Sequence, residues 1–143
     1  MKHDGILKDI KQIDFPETDY YREKVEKKQI CLHHTVSGGS AQAVANYWKS
    51  LSNRIATCMI IEKDGTPYQL FGSHYHAGHV GNVKGECEIF KLPFRSPSKN
   101  SFGIELINWG ALTKRNDNLY TAYGKEFKGE HVEYSCSYRN YRF

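Results

Sequence analysis

From residue 29 onward, the spacing of apolar side chains switches repeatedly between the period of a strand and that of a helix. Gln29-Ile30-Cys31-Leu32-His33-His34-Thr35 alternates with a period of two. It predicts a strand with Ile30, Leu32 and His34 on one face and Cys31, His33 and Thr35 on the other. Ser37-Gly38-Gly39-Ser40 interrupts that run, and Ser40 is suited to cap a helix. Ala41, Val44, Ala45, Trp48 and Leu51 then recur at helical spacing and predict one apolar stripe, with Trp48 as a core residue. A second strand is predicted over Ala56–Ile61. Lys63-Asp64-Gly65 supplies a hairpin turn, because glycine reaches positive φ without a Cβ clash, and Thr66–Phe71 forms the return strand. Gly72 to Lys99 reads as a loop region rich in His, Gly and Pro. Ser101–Asn108 reads as a last strand, with Phe102, Ile104 and Leu106 on one face and Glu105 on the other. Beyond Trp109 the chain turns polar and Tyr-rich, and no internal repeat is found. This order predicts an α/β fold with a covering helix on a sheet.

The 143 residues suffice for one domain. Residues 1–27 are polar and charged apart from Tyr20-Tyr21, and are expected to form an N-terminal arm lying over a core built by residues 28–143. Ten Tyr and seven Phe supply material for that core. The net charge of +4 is spread along the chain without a dense basic block. It suits an acidic polymer such as a bacterial wall and argues against nucleic acid as a partner. Cys31, Cys58, Cys87 and Cys136 form no C-x-x-C pair and no disulfide framework, and are expected to be reduced. The start, MKHDGILKDIKQ, lacks the apolar segment of a signal peptide. No stretch has the length and apolarity to span a membrane, so no membrane partner is expected.

Two features carry chemistry. His33 and Glu105 each lie on a predicted strand, opposite its most apolar side chains. A carboxylate there is costly to bury without a partner, which a metal-bound water or a cationic side chain would supply. A lone strand histidine is more often a hydrogen-bonded core residue than a metal ligand. The second feature is Gly72-Ser73-His74-Tyr75-His76-Ala77-Gly78-His79-Val80-Gly81. Its three histidines are either solvated loop residues or metal ligands, since neutral imidazole binds zinc.

These segments resemble the type 2 N-acetylmuramoyl-L-alanine amidase family, which includes phage endolysins and peptidoglycan recognition proteins. QICLHHTVS (residues 29–37) resembles the family's opening strand, and IIEKDGTPYQL (60–70) its hairpin. His74 to Gly81 is similar to the family's aromatic-His-small-Gly loop, with His79-Val80-Gly81 in register. NSFGIELINWG (100–110) resembles the strand ending in Asn/Ser-x-Gly-Ile-Glu, and FPETDYYREKVEKKQ the lead-in of phage-type members.

The resemblance implies a mixed central β-sheet with flanking helices and a zinc-dependent peptidoglycan hydrolase. In it His33 is the first zinc ligand, Glu105 the catalytic carboxylate, and His79 and Asn108 substrate-binding residues. His34 follows the ligand position and is not expected to bind metal. The family completes its zinc site from a late segment, G-H-x-D-x-x-x-x-R-K-x-D-P-G, which contributes a second His and an Asp or Cys. That segment has no counterpart here, and His131 and Cys136 in EHVEYSCSYRN match neither its spacing nor its context. Residues 28–143 are therefore expected to be a partial amidase domain, incomplete at its C-terminus. The remaining Zn2+ ligands are expected to be absent from this chain, and activity weak or lost. A muropeptide-binding module and a phage structural protein are the alternatives. The expected setting is cytoplasmic synthesis followed by action on the cell wall after phage lysis or from a virion.

Overall fold

The computed structural model of the protein describes residues 4–81 and 97–131, together with the backbone of residues 137–138 and 141–142. Strand β2 (Gln29–His34) leads through the loop at residues 35–40 into helix α1 (Ala41–Lys49). The Ser40 hydroxyl caps α1 by accepting from the Ala43 N–H at 3.2 Å, as the sequence predicts. A second contact fixes the same end: Glu62 Oε1 accepts from the Ala41 N–H at 2.6 Å. The helix buries Ala41, Ala45 and Trp48, which lie on its apolar stripe, while Val44 and Leu51 pack at its margin.

Strands β3 (Met59–Ile61) and β4 (Pro67–Gln69) form the predicted hairpin. Gly65 sits at its turn with φ +84°, and Asp64 Oδ1 accepts from the Thr66 N–H at 2.9 Å. The second strand is shorter than the sequence predicts because Ala56 turns aside, donating its N–H to the carbonyl of Gly78 at 3.1 Å. A short helix, α2 (Pro97–Asn100), occupies the end of the expected loop and leads directly into β5 (Ser101–Leu106). Preceding these is a strand that the sequence reading missed, β1 (Lys11–Gln12), paired in parallel with β4.

The central sheet is mixed, with strand order β1-β4-β3-β5-β2. β5 lies between β3 and β2 and is parallel to both, whereas β3 and β4 are antiparallel. The Tyr-rich region beyond residue 109, expected only to be polar, contributes a three-stranded antiparallel meander of β6 (Thr113–Arg115), β7 (Asn118–Tyr120) and β8 (Glu126–Phe127). β9 (Ser137–Tyr138) and β10 (Tyr141–Arg142) pair with each other. No helix among the described residues is long and apolar enough to cross a membrane.

The N-terminal arm is more than a cover. Ile13, Phe15 and Tyr20 are buried in the same core as Trp48, Ile60 and Phe71, and the Tyr20 ring stacks on Phe71 with centroids 4.7 Å apart. The polar and charged character of residues 1–27 points to an arm outside the core, but its few apolar residues are drawn in. They are buried one at a time against the β4 edge.

Gln69 holds this junction. It is fully buried, and its side chain makes bonds that an apolar residue cannot. Oε1 accepts from the Leu7 N–H at 2.8 Å, and Nε2 donates to the carbonyls of Gly5 and Phe71, each at 2.9 Å. Gln69→Leu leaves those backbone groups without their partner, a change that costs about 1–3 kcal/mol for a buried unsatisfied group. Urea unfolding is expected to show a lower midpoint, and limited proteolysis faster cutting within the first 25 residues. An unchanged midpoint and digestion rate would contradict the tethering role.

Candidate active site

The β2–β5 register sets Cys31 opposite Gly103 and His33 opposite Glu105. Residues in register on adjacent strands present side chains to the same face, with the strands about 4.8 Å apart. His33 and Glu105 are therefore cross-strand neighbours. The face they share is the covered one: Ser101, Gly103 and Glu105 are buried, while Ile30 and Leu32 on the other face are 67% and 63% exposed. The apolar side of β2 thus faces outward and its polar side inward, because α1 and the loop at residues 76–80 lie over the polar side.

That loop brings His79 down onto the sheet. Ser98 anchors it, its hydroxyl oxygen taking the N–H groups of His79 and Val80 at 3.2 and 2.9 Å and its hydrogen going to the Val80 carbonyl. The His79 ring rests directly on Gly103, where an added Cβ would lie 3.1 Å from the ring. In this position His79 Nδ1 is 2.9 Å from His33 Nε2, and the two rings meet edge to face. On the other side His33 Nε2 is 3.3 Å from Cys31 Sγ. His79 Nε2 is 3.0 Å from the hydroxyl of Ser101. The sequence reading left His33 without fellow donors. The structure gathers one atom each from Cys31, His33 and His79 within 4.8 Å of one another.

Neutral imidazole, thiolate and an open position together make a donor set that zinc accepts, and a three-ligand site of this kind is typical of catalytic zinc. The cluster therefore fits the metal that the sequence motifs imply. Cys31 was the missed residue. Its signal was present in the alternation of β2, which puts it on the His33 face, but nothing in one strand reveals that a distant loop delivers a third donor.

Electrostatics follow from burial. Glu105 is 9% exposed, and among the described residues no ion pair or hydrogen bond to its carboxyl is present. Burial pushes it up to about 7. Burial also holds the His33 imidazole below its usual range, with the neighbouring His34 adding to the effect. His79 is pulled down to about 4, first by burial and then by the charge His33 would carry. The Cys31 thiol is raised by burial.

Glu105 and His79 line a cleft of about 410 Å³. Val44, Tyr47 and Trp48 of α1, Thr35 and Ser37 of the loop after β2, and Tyr123 of the β7–β8 turn line it as well. His33 lies beside this lining rather than in it. Asn108 is outside it as well: its side chain accepts from the Gly110 N–H at 2.8 Å and its carbonyl from the Ser37 N–H at 2.9 Å. Of the other loop histidines, His74 is exposed, but His76 is not. It stacks on Tyr21 and pairs with that residue's backbone, so the arm covers it and leaves its side chain 13% exposed. His131 is exposed, and Cys136 lies outside the described residues.

Comparison with known proteins agrees with this architecture. The family model described as N-acetylmuramoyl-L-alanine amidase matches residues 23–134. Among solved structures, the chain is similar to "Structure of PlyL", with a TM-score of 0.53 and 16% identity over 70% of this chain and 58% of that one. It is similar to the structure of a PlyL point mutant with the same TM-score and 15% identity, over 69% and 58%. The chain thus spans well under two thirds of the length of these neighbours, and at such identity the likeness is one of fold. No curated protein matches the chain.

The burial of Glu105 has a consequence for stability. Its folded pKa of about 7 lies above the ordinary 4.5. The folded state therefore binds the proton more tightly than the unfolded state does. The resulting stability is fully present below pH 4.5 and is lost as pH rises through 7. Glu105→Gln removes the charge and keeps the shape. In chelator-treated protein, the urea midpoint of the variant is expected to gain on that of the parent between about pH 5 and about pH 8. A pH-independent gap between the two would contradict the burial-driven shift.

Proposed function

The chain belongs to the N-acetylmuramoyl-L-alanine amidase family, and we propose that it hydrolyses the amide joining the lactyl group of N-acetylmuramic acid to L-alanine of the peptidoglycan stem peptide. The observation that carries this reading is the register pairing of His33 with Glu105 beneath an open cleft. A metal-directed imidazole and a carboxyl near neutral pKa are the two groups that amide hydrolysis by water requires.

Zinc, when bound beside His33, supplies Lewis acidity to the amide carbonyl and to water. The remaining work falls to the chain. Glu105 takes a proton from the attacking water as its oxygen bonds to the carbonyl carbon. It returns that proton to the alanine nitrogen as the C–N bond breaks, leaving a carboxylate and a free amine. A pKa of about 7 suits both halves of this cycle, since the same group must accept and then donate near neutral pH. Tyr47, Trp48 and Tyr123 offer apolar surface to the sugar and peptide, and His79 lines the same cleft. Asn108 contributes by shaping the rim through its bonds to Ser37 and Gly110. The net charge of +4 favours approach to an anionic wall polymer.

The test is release of stem peptide from purified peptidoglycan by the zinc-loaded chain. Glu105→Gln is expected to lower kcat/KM about 10²–10⁴-fold, the range for loss of a general acid–base group. In the parent, kcat/KM is expected to rise with pH as Glu105 ionises, with a midpoint below the metal-free value of about 7 because a bound cation favours the carboxylate. Muropeptide binding without release would overturn the hydrolase reading in favour of a recognition module. Activity retained in Glu105→Gln would remove Glu105 from the mechanism.

A further inference from the structure

We infer that this chain builds its metal site within the sheet itself, from Cys31 Sγ, His33 Nε2 and His79 Nδ1, with Ser101 as the residue that positions His79. The assignment differs from what the family pattern implies, because it takes no donor from a late segment. It rests on the amidase reading only for the use to which the metal is put.

The geometry comes first. A tetrahedral zinc with nitrogen at about 2.0–2.1 Å and sulfur at about 2.3 Å separates its donors by about 3.3–3.6 Å. His33 and His79 present nitrogens 2.9 Å apart, and Cys31 Sγ is 3.3 Å from the His33 nitrogen. Opening these pairs by a few tenths of an ångström admits the ion. Cys31 and His33 are two residues apart on β2 and so share a face, and the third donor descends from the loop above. It reaches them only because residue 103 has no side chain: a Cβ there would sit 3.1 Å from the His79 ring.

Hydrogen bonding at Ser101 decides which nitrogen of His79 is free. The Ser101 hydroxyl has one hydrogen, and it donates that hydrogen to the Pro97 carbonyl at 2.5 Å. Toward His79 Nε2, 3.0 Å away, Ser101 can therefore only accept. This fixes His79 as the tautomer with its proton on Nε2 and its lone pair on Nδ1, the atom that faces His33. Metal-binding histidines are held in this way, with the far nitrogen donating to an oxygen that sets the tautomer and ring angle. The Ser101–Pro97 pair lies at the junction of α2 and β5, and Ser101 is 2% exposed, so water does not compete for its hydrogen bonds. Three protein donors leave one position for water or substrate, and Glu105, the register partner of His33, is the neighbouring residue on that face.

Cobalt(II) titration of the full, chelator-stripped chain tests this without reference to catalysis. The parent is expected to bind one equivalent, with tetrahedral ligand-field bands and a thiolate-to-metal charge-transfer band, and Zn2+ is expected to displace it. Cys31→Ser should abolish the charge-transfer band, and His79→Gln should weaken Co2+ binding at least tenfold. Ser101→Ala should weaken binding about 10–100-fold while keeping the charge-transfer band, the behaviour of a group that orients a ligand without touching the metal. Circular dichroism of each variant checks that the fold is retained. Failure of the parent to bind Co2+, a charge-transfer band that survives Cys31→Ser, or parental affinity in His79→Gln would overturn the assignment. Metal bound as described without peptide release would overturn the amidase reading alone. Peptide release unaffected by Cys31→Ser and His79→Gln would overturn the metal set alone.

Discussion

In a parallel ladder, a residue and its register partner always look to the same side of the sheet, and the β2–β5 ladder applies that rule to His33 and Glu105. Sliding β2 by one residue would turn Cys31 and His33 to the outer face and bring Ile30 and Leu32 inward. The register is held at both ends. At one end the Lys28 N–H donates to the Asn100 carbonyl. At the other, the Thr35 N–H donates to the Leu106 carbonyl and the Ser37 N–H to that of Asn108. The loop that carries His79 and the helix that walls the cleft take their places over a face this register has already chosen.

That face is unusual in what it buries. Cys31, His33, Ser101 and Glu105 are polar or ionisable, and they lie on the covered side while Ile30 and Leu32 meet solvent. Burying such groups is unfavourable unless they satisfy one another. Cys31, His33, His79 and Ser101 do so through a continuous chain of short contacts, whereas the Glu105 carboxyl has no such partner among the described residues and shifts its pKa instead. Stability is surrendered here, and a buried ionisable group perturbed in this way is a candidate for a functional site.

The apolar core compensates on the flanks. Trp48 and the alanines of α1, the hairpin residues Ile60 and Leu70, and Ile13, Phe15 and Tyr20 of the arm form one cluster that joins helix, hairpin and arm. The sheet is therefore firmly packed around β3 and β4 and lightly covered at the β2 edge. The cleft is lined from both, by Trp48 of the cluster and by Glu105 of β5.

Local chemistry alone settles a good part of this. The period of two in residues 29–35, the Ser40 cap with its helical stripe, the Asp64-Gly65 turn and the Phe102-Ile104-Leu106 alternation each specify an element through its own residues. His33, Glu105 and His79 stand out for the same reason, as polar groups within motifs. What the chain order leaves open is decided by packing. Apolar alternation gives a strand two faces but does not say which is covered, and here the less apolar one is. The irregular arm enters the core because the β4 edge and the Gln69 side chain receive it, a contact made across more than sixty residues of sequence. The grouping of Cys31 with His33 and His79 depends on the missing Cβ of Gly103 and on the Ser98 and Ser101 hydroxyls, none of which is a metal donor. A sequence motif names the donors it contains, whereas a metal site needs distances, and those exist only once the loop has closed onto the sheet.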